Sequence, residues 1–473
     1  MKQQLLDNLS AHGQQQLLRF WDELEPAGQE SLATQIEALN LPLLTQLFRQ
    51  EPDADAIRAM AAHATSPPAI RLDTARNRFT PEEARRCGQE ALAAGEVAGV
   101  LVAGGQGTRL GFDRPKVMYP IGPVSQHTLA QILIEKLLAV SARYGVGVPL
   151  AVMTSPATDA PLRQFFAESE RFGLPEDELL LICQGVMPAV DAETGKVLLA
   201  AKDQIALSPD GHGGMLAAIT GSGVLDALAR RGIRTLFYFQ VDNPLVQFGS
   251  PEFLGYHRLA GSDLSTQVIA KQSPTDRVGN VVEVDGRLQV IEYSDMPDDV
   301  AQRRAPDGSL AIWAGSIAVH LMDVSFLQRM AGQADALPFH RAHKKVAHLA
   351  EDGQLVTPSA PNALKFERFI FDLIPSARNA LVVEIDPAQG FAPLKNAPGA
   401  PSDTPETVRA AMIAEHGRWL AAAGAELREG VQVEISPLVA LDAEMLAAKV
   451  APGTQVTRDT YLHPPVAGCR AGC

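Results

Sequence analysis

Long apolar runs are missing from this 473-residue chain. A helix that spans a membrane needs about 20 predominantly apolar residues, and no stretch supplies them. No basic segment followed by an apolar one opens the sequence, so a secretory leader is not expected either. These absences argue for a cytoplasmic protein with no membrane partner. Positive charge is also in short supply. There are 41 Lys and Arg against 55 Asp and Glu, a formal net charge of −14. A chain this acidic is not expected to bind nucleic acid, and any anionic ligand must find a local pocket of Arg and Lys. Cysteine is scarce: Cys87, Cys183, Cys469 and Cys473 are the whole set. Four thiols in this length fit a reducing compartment. Cys469 and Cys473, spaced C-x3-C, do not make a zinc site without further ligands. Internal repeats and low-complexity segments are absent as well. What remains is 46% hydrophobic and 20% charged, a globular composition with length for two or three domains.

Among what is present, the stretch from Leu101 to Gly122 carries the most information. Val97 to Val102 is short, apolar and β-branched, which predicts a buried strand. Gly104, Gly105 and Gly107 follow at once. Without Cβ atoms they let the backbone bend sharply and bring its N–H groups close to an anion. Arg109 adds a planar donor fork and Lys116, after Pro115, a point charge. A strand leading into a phosphate cradle has this form. A Walker loop is excluded, because no Gly-Lys-Ser/Thr closes it. A dinucleotide fingerprint is excluded too, since Gly107 and Gly111 stand three residues apart and no acidic residue ends a second strand about 20 residues on.

Other blocks bear on chemistry. An apolar run from Tyr238 ends in Asp242-Asn243-Pro244, and a carboxylate at a strand end beside a phosphate loop is where Mg²⁺ would be held. Ser208 to Met215 reads as a glycine-rich loop with exposed N–H groups. Asp285-Gly286 between two apolar runs predicts a hairpin. Lys365 falls in what reads as an apolar helix pattern with Leu364, Phe366, Phe369 and Ile370, and His340 and His343 read as part of a surface helix.

Residues 1–64 read as helices, broken at Ser66, Pro67 and Pro68, with a further helix beginning at Pro81 and capped by Thr80. The centre alternates strands and helices. Its strands are expected at 97–102, 150–154, 179–183, 235–241, 264–269, 281–284, 288–292 and 381–384. That alternation implies an α/β core with a largely parallel sheet and ligands at the carboxyl ends of its strands. An Ala-rich helix over 407–423 precedes short β-like pieces at 431–435 and 454–456. The expected division is an N-terminal helical region (1–92), a catalytic domain (93–400) and a small β-rich C-terminal domain (401–473).

The signature G-G-x-G-T-x-L-G-x-x-x-P-K is met at Gly104, Gly105, Gly107, Thr108, Leu110, Gly111, Pro115 and Lys116. It resembles the UTP-dependent sugar-1-phosphate uridylyltransferases, and within them the eukaryotic-type UDP-N-acetylhexosamine pyrophosphorylases. The resemblance covers roughly Ala98 to Asn396, and Ile435 to Leu441 look like the family's small left-handed β-helix-like end domain. It implies a nucleotide-diphospho-sugar transferase fold, Rossmann-like and of glycosyltransferase-A type, with a mixed-sheet core. It also implies UTP and a sugar 1-phosphate as substrates, UDP-sugar and pyrophosphate as products, and Mg²⁺ as cofactor.

Residue by residue, the resemblance places Leu101, Ala103, Gly104, Gly105, Lys116, Gln184, Gly211, Asp242 and Lys365 at the nucleotide, with Gln184 reading uracil and Asp242 at the metal. It places His212, Gly279, Glu292, Tyr293, Ser316 and Lys395 at the sugar phosphate, and gives Arg109, Lys116 and Lys395 the catalytic charges. Two positions depart from the hexosamine pattern, which carries asparagine where His212 and Ser316 stand. N-acetylglucosamine 1-phosphate is the main expectation for the acceptor. Glucose 1-phosphate is the alternative, and a non-catalytic UDP-sugar binder is a third reading. Oligomeric state, monomer or weak dimer, is left open.

Overall fold

The structure is a computed structural model that describes residues 1–50, 54–333 and 336–464. Cys469 and Cys473 lie outside the described residues. The chain divides into two compact units. The larger comprises Arg58–Cys183, Ile219–Ala334 and Leu373–Cys473, and the smaller Met1–Ile57, Gln184–Ala218 and Asp335–Asp372.

The larger unit is built on a ten-stranded sheet. Its strands in chain order are β1 (Ala69–Ile70), β2 (Val97–Val102), β3 (Leu150–Thr154), β4 (Leu179–Cys183), β5 (Thr235–Gln240), β6 (Leu264–Ala270), β7 (Gly279–Val284), β8 (Arg287–Ile291), β9 (Ala314–Asp323) and β10 (Leu381–Glu384). They lie in the order β1-β10-β6-β9-β5-β2-β3-β4, and the β7–β8 hairpin joins the sheet through β9. β9 runs antiparallel to both β6 and β5, while the other neighbours along that path are parallel. The sheet is therefore mixed, as the resemblance implied, with β9 and the β7–β8 hairpin supplying the antiparallel pairings that the strand–helix alternation did not announce. β9 carries no strand signal of its own because it lacks the alternation of a half-solvated strand: seven of its ten residues are buried, on both faces. The hairpin turn is as its sequence demands, with Asp285 at φ +50° and Gly286 at φ +76°.

Four helices of this unit matter below: α1 (Pro81–Ala93), α2 (Leu129–Tyr144), α3 (Pro251–Leu259) and α4 (Pro405–Ala422). α1 starts in a capping box, Thr80 bonding the Glu83 N–H and Glu83 reaching back to Thr80. α1 and α3 approach so closely that they meet through glycine. A Cβ on Gly88 would stand 1.9 Å from the Pro251 carbonyl oxygen, and one on Gly255 would stand 1.7 Å from that of Ala84. C-terminal to α4, Glu426–Leu427 pairs in parallel with Gln455–Val456, and Val433–Ile435 with Thr460–Leu462. Between these rungs Val433, Ile435, Ala440 and Leu446 form a small core of their own. Glu434, 3% exposed, turns away from it and accepts from Val124 N (2.8 Å), Ser125 N (2.6 Å) and Ser125 Oγ (2.7 Å), just past the glycine-rich loop.

In the smaller unit the helices Lys2–Ala11, Pro26–Glu37 and Leu41–Arg49 turn Leu9, Leu32, Ile36 and Leu44 inward. These pack with Leu364 and Phe366 of a three-stranded antiparallel sheet formed by His340–Lys344, Ala363–Glu367 and Val190–Asp191. The sequence pointed to helices at 340–345 and 364–370, and both are strands. Leu364 and Phe366 are buried at spacing two, with Lys365 and Glu367 on the other face, and only from Ile370 does a 3₁₀ segment begin. The apparent helical period came from joining the end of a strand to the start of that segment. Among the described residues, no helix is long and apolar enough to cross a membrane.

Candidate active site

In the larger unit, β2 and β5 lie side by side and deliver two loops to the same end of the sheet. After β2 the chain turns through Gly104 to Gly107 and closes on itself, with Gly107 N bonding Arg114 O (3.0 Å) and Lys116 N bonding Gly105 O (3.1 Å). Gly107 has no room for a side chain, since a Cβ there would sit 2.7 Å from Phe112 O and 2.8 Å from Arg114 O. Ser155, following β3, donates to Gly104 O at 2.9 Å and steadies the loop from outside. Among the described residues the N–H groups of Gly104, Gly105 and Gln106 have no protein acceptor, and Gly105 and Gln106 are exposed. Open N–H groups on a glycine-rich turn suit an anion. Leu101 and Ala103, both fully buried, anchor the strand end beneath them.

After β5 comes Asp242-Asn243-Pro244. Asn243, 3% exposed, donates to Gly390 O (2.8 Å) and accepts from Leu245 N (3.2 Å) and Ala392 N (3.1 Å). The Leu394 N–H then bonds Asp242 O at 2.8 Å, and Lys116 Nζ donates to Leu394 O at 3.2 Å. The turn-forming Asn243 thus stitches the segment bearing Lys395 alongside Asp242. The fold brings Arg109, Lys116, Asp242 and Lys395 into one electrostatic neighbourhood. Burial holds the Lys116 ammonium below the usual lysine range, Lys395 and Arg109 press it the same way, and Asp242 opposes them.

Sequence reasoning missed one member of this neighbourhood. The Asp403 carbonyl accepts both Lys395 N (2.8 Å) and Asn396 N (2.9 Å). Burial raises the Asp403 carboxyl above its usual range, and Asp242 adds to that while Lys395 opposes it. Nothing local marks Asp403, which sits in an ordinary Ser-Asp-Thr-Pro helix approach.

A second cluster forms on the same unit at β7, β8 and β9. Gly279 pairs with Ser316, and a Cβ on Gly279 would stand 3.5 Å from Glu292 Oε1 and 3.8 Å from Ser316 Cβ. β9 carries a bulge here: its register with β6 shifts between Thr266 and Val268, and Ala318 takes φ +55°. Tyr293, 49% exposed, lies just past β8.

The remaining expected residues belong to the smaller unit. Gln184 is 6% exposed. Gly211 adopts φ +86°, and a Cβ there would lie 2.4 Å from Arg368 O, so this turn requires glycine twice over. His212 stacks on Phe369 (5.3 Å between centroids, 21°), which in turn stacks on His340 (4.5 Å, 29°), and His340 Nε2 meets Asp372 at 2.8 Å. The His212 Nδ1 accepts the Ile370 N–H at 3.3 Å, which assigns the ring proton to Nε2. Burial, with His340 nearby, pushes His212 down to about 4, so it is a neutral hydrogen-bonding group at physiological pH. Lys365 faces away from Leu364 and Phe366, and burial lowers its pKa.

Asp210, one residue before this turn, is only 6% exposed, and its Oδ1 has no hydrogen-bond partner. Burial pushes its carboxyl up to about 6, against the pull of Arg368. Because the folded-state pKa lies above the unfolded one, the cost is absent below pH 4 and complete above pH 6. Asp210→Asn is therefore expected to stabilise the protein at pH 8 by about 2 kcal/mol, with the gain vanishing near pH 4. Thermal denaturation of both proteins at the two pH values checks this, and equal melting temperatures at pH 8 would contradict it.

Residues 55–450 match the sequence model of the family described as UTP–glucose-1-phosphate uridylyltransferase. The chain belongs to this family. Among its relatives, the UDP-N-acetylhexosamine pyrophosphorylase-like protein 1 of Xenopus tropicalis is 38% identical over 87% of this chain and 83% of its own length. The UDP-N-acetylglucosamine pyrophosphorylase of Saccharomyces cerevisiae is 34% identical over 92% of this chain and 94% of its own. A solved structure from Entamoeba histolytica superposes with TM-score 0.78 at 28% identity, covering 85% of this chain and all of that one. The UDP-glucose pyrophosphorylase of Leishmania major gives TM-score 0.56 at 16% identity over 79% of this chain and 77% of its own, a likeness of fold alone. The nucleotidyltransferase fold and family expected from the glycine-rich signature are borne out.

Proposed function

We propose that this protein is a UTP:sugar-1-phosphate uridylyltransferase that makes UDP-N-acetylhexosamine and pyrophosphate. The observation that carries the reading is the meeting of Lys116, Asp242 and Lys395 beside a glycine-rich loop in which, among the described residues, the N–H groups of Gly104, Gly105 and Gln106 have no protein acceptor. The identity of 32–38% to proteins named for N-acetylhexosamine or N-acetylglucosamine favours that acceptor class.

A sugar 1-phosphate is already ionised at neutral pH, so no strong general base is called for. Its oxygen attacks the α-phosphorus of UTP, a new P–O bond forms, and the bond to the β-phosphate breaks to release pyrophosphate. Positioning and charge neutralisation supply most of the acceleration in such transfers. Arg109, Lys116 and the N–H groups of Gly104 and Gly105 neutralise the triphosphate and the departing pyrophosphate. Lys395 holds the sugar phosphate in line, with Gly279, Glu292, Tyr293 and Ser316 on the sugar. In the smaller unit Gln184 and Gly211 read uracil, Lys365 takes phosphate charge, and His212 lies at the sugar.

Mg²⁺ fits the donor set. Asp242 supplies a hard carboxylate oxygen, and among the described residues no group of three or more His, Cys, Asp and Glu forms a closed cage. Magnesium characteristically takes one or two carboxylates and draws its other ligands from phosphates and water. Bound there, it would draw charge off the phosphate oxygens. EDTA is expected to abolish turnover, and excess Mg²⁺ to restore it.

His212 and Ser316 favour a second reading, in which glucose 1-phosphate is the acceptor. Pyrophosphate release from UTP with N-acetylglucosamine, N-acetylgalactosamine and glucose 1-phosphates decides between them. The proposed function expects the N-acetylhexosamine phosphates to lead in kcat/KM. A lead by glucose 1-phosphate transfers the assignment to the second reading. No release with any of the three, together with tight UDP-sugar binding, would make the protein a binder and not an enzyme.

A further inference from the structure

Where β7, β8 and β9 meet, the sheet has two faces. Side chains alternate along a strand, and residues paired across neighbouring strands share a face. Gly279 pairs with Ser316, and the Glu292 carboxylate lies on their side, since a Cβ on Gly279 would stand 3.5 Å from Glu292 Oε1. The next pair, Asn280 with Gly315, belongs to the opposite face. That face holds a buried polar cluster of its own.

Asn280 is 2% exposed and Lys271 6%. The Lys271 Nζ donates to Asn280 Oδ1, and Asn280 Nδ2 donates to Ile291 O at 3.1 Å. The Lys271 main chain is tied to β9's approach, its N–H bonding Trp313 O at 2.8 Å. Its side chain passes over Gly315, where a Cβ would lie 3.3 Å from Lys271 Cγ. An ammonium can only donate. It therefore fixes which end of the Asn280 amide is the oxygen and leaves the NH₂ end turned to Ile291 O. The next carbonyl, that of Glu292, accepts the N–H groups of Asp295 (3.0 Å) and Met296 (3.1 Å). The carbonyls of Ile291 and Glu292 are both engaged, so the main chain is held on either side of the Glu292 side chain.

This arrangement is costly. Among the described residues the hydrogen-bond partner of the Lys271 ammonium is an amide and not a carboxylate. A buried charge so partnered works against folding. Burial lowers the Lys271 pKa accordingly, with Asp276 opposing. The hairpin does not need the device, because its ladder already runs from Asn280–Ile291 to Val284–Arg287. What the cluster adds is a fixed orientation at the last rung, where the chain leaves β8 for Glu292.

We propose that Asn280, oriented by Lys271, is a positioning residue that sets the Glu292 carboxylate for the hydroxyls of the bound sugar. The inference rests on the reading of Glu292 given above. It accounts for a buried polar pair behind a subsite whose working groups all lie on the other face.

Calorimetric titration of the full-length protein with UDP-N-acetylglucosamine and with UDP tests this without turnover, because no pyrophosphate is present. The ratio of the two affinities isolates the sugar's share. Asn280→Asp keeps an acceptor for Lys271 but turns an oxygen, not an N–H, toward Ile291 O. Lys271→Met keeps the length of the side chain, removes the buried charge and frees the amide to rotate. Each is expected to weaken UDP-N-acetylglucosamine by about fivefold or more, the scale of one lost hydrogen bond, with UDP binding within about twofold of the unaltered protein. Glu292→Gln, run in parallel, is expected to lose the sugar's share as well.

If Glu292→Gln loses that share while Asn280→Asp and Lys271→Met keep it, the pair does not position Glu292, and the reading of Glu292 stands without it. If Glu292→Gln keeps the share, the sugar reading of Glu292 itself fails. If the Asn280 and Lys271 variants weaken UDP and UDP-N-acetylglucosamine alike, the pair is structural and the proposal is overturned.

Discussion

Replacing Lys116 by alanine is expected to lower kcat/KM by about 10²-fold or more while leaving the melting temperature unchanged or raised. Most substitutions of partly buried residues damage stability and activity together, and this one should separate them. The Lys116 ammonium is desolvated and has Lys395 and Arg109 for neighbours, with Asp242 as the countercharge named beside it. Its folded-state pKa is depressed below that of the free side chain. At neutral pH the unfolded chain therefore holds this charge more comfortably than the folded one, and the ammonium opposes folding. Its one hydrogen bond among the described residues, to Leu394 O at 3.2 Å, returns little. With UTP bound the balance reverses, because triphosphate supplies the missing negative charge. Steady-state kinetics and thermal denaturation on the same preparation check both halves. A rate within a few-fold of the original would remove Lys116 from the mechanism. A collapse of the melting temperature would show that it is structural.

Gly255→Ala is expected to act in the opposite sense, destabilising by about 4 kcal/mol or more through steric conflict alone. The methyl group would enter 1.7 Å from the Ala84 carbonyl oxygen, far inside contact distance. Relief cannot come from a rotamer change, because the opposing atom is main chain. α1 and α3 would have to separate along their length, opening the packing of Phe253 and Leu254 beneath. Gly88→Ala makes the reciprocal conflict with Pro251 O at 1.9 Å. The two positions share one contact, so the double variant should cost less than the sum of the single ones. Chemical denaturation of the three variants measures this, and additive losses would argue against a shared crossing.

The sequence was most readable where one local rule decided the outcome. The glycine-rich turn after β2, the Thr80 capping box and the Asp285-Gly286 hairpin each follow from the side-chain chemistry of a few adjacent residues, and each formed as expected. Reading failed where the deciding contact lay far along the chain. Lys365 is in a strand because His340–Lys344 and Val190–Asp191 pair on either side of it, more than 20 residues away. β9 is defined by its antiparallel pairing with β5 and β6, whose residues lie well before it in the chain. Asp403 matters through the carbonyl it offers to Lys395 and the field of Asp242, neither visible from Ser402 or Thr404. Asp210 falls within the Ser208–Met215 loop, and its unpartnered oxygen emerges only once Gly185 and Gly214 close around the carboxyl.

The stitching by Asn243 has a mechanical consequence. One side chain binds its own loop at Leu245 and the distant segment at Gly390 and Ala392. Asp242 and Lys395 are thereby mounted on a single bracket, with no hinge between them. The spacing between the group proposed to face the metal and the group proposed to hold the nucleophile is then set when the chain folds, not each time substrates arrive. A jig of this kind works only if it does not flex, since misplacement by about 1 Å can cost a hundredfold in rate. The amide of Asn243 thus does for alignment what no charged residue in the neighbourhood can do: it fixes a length.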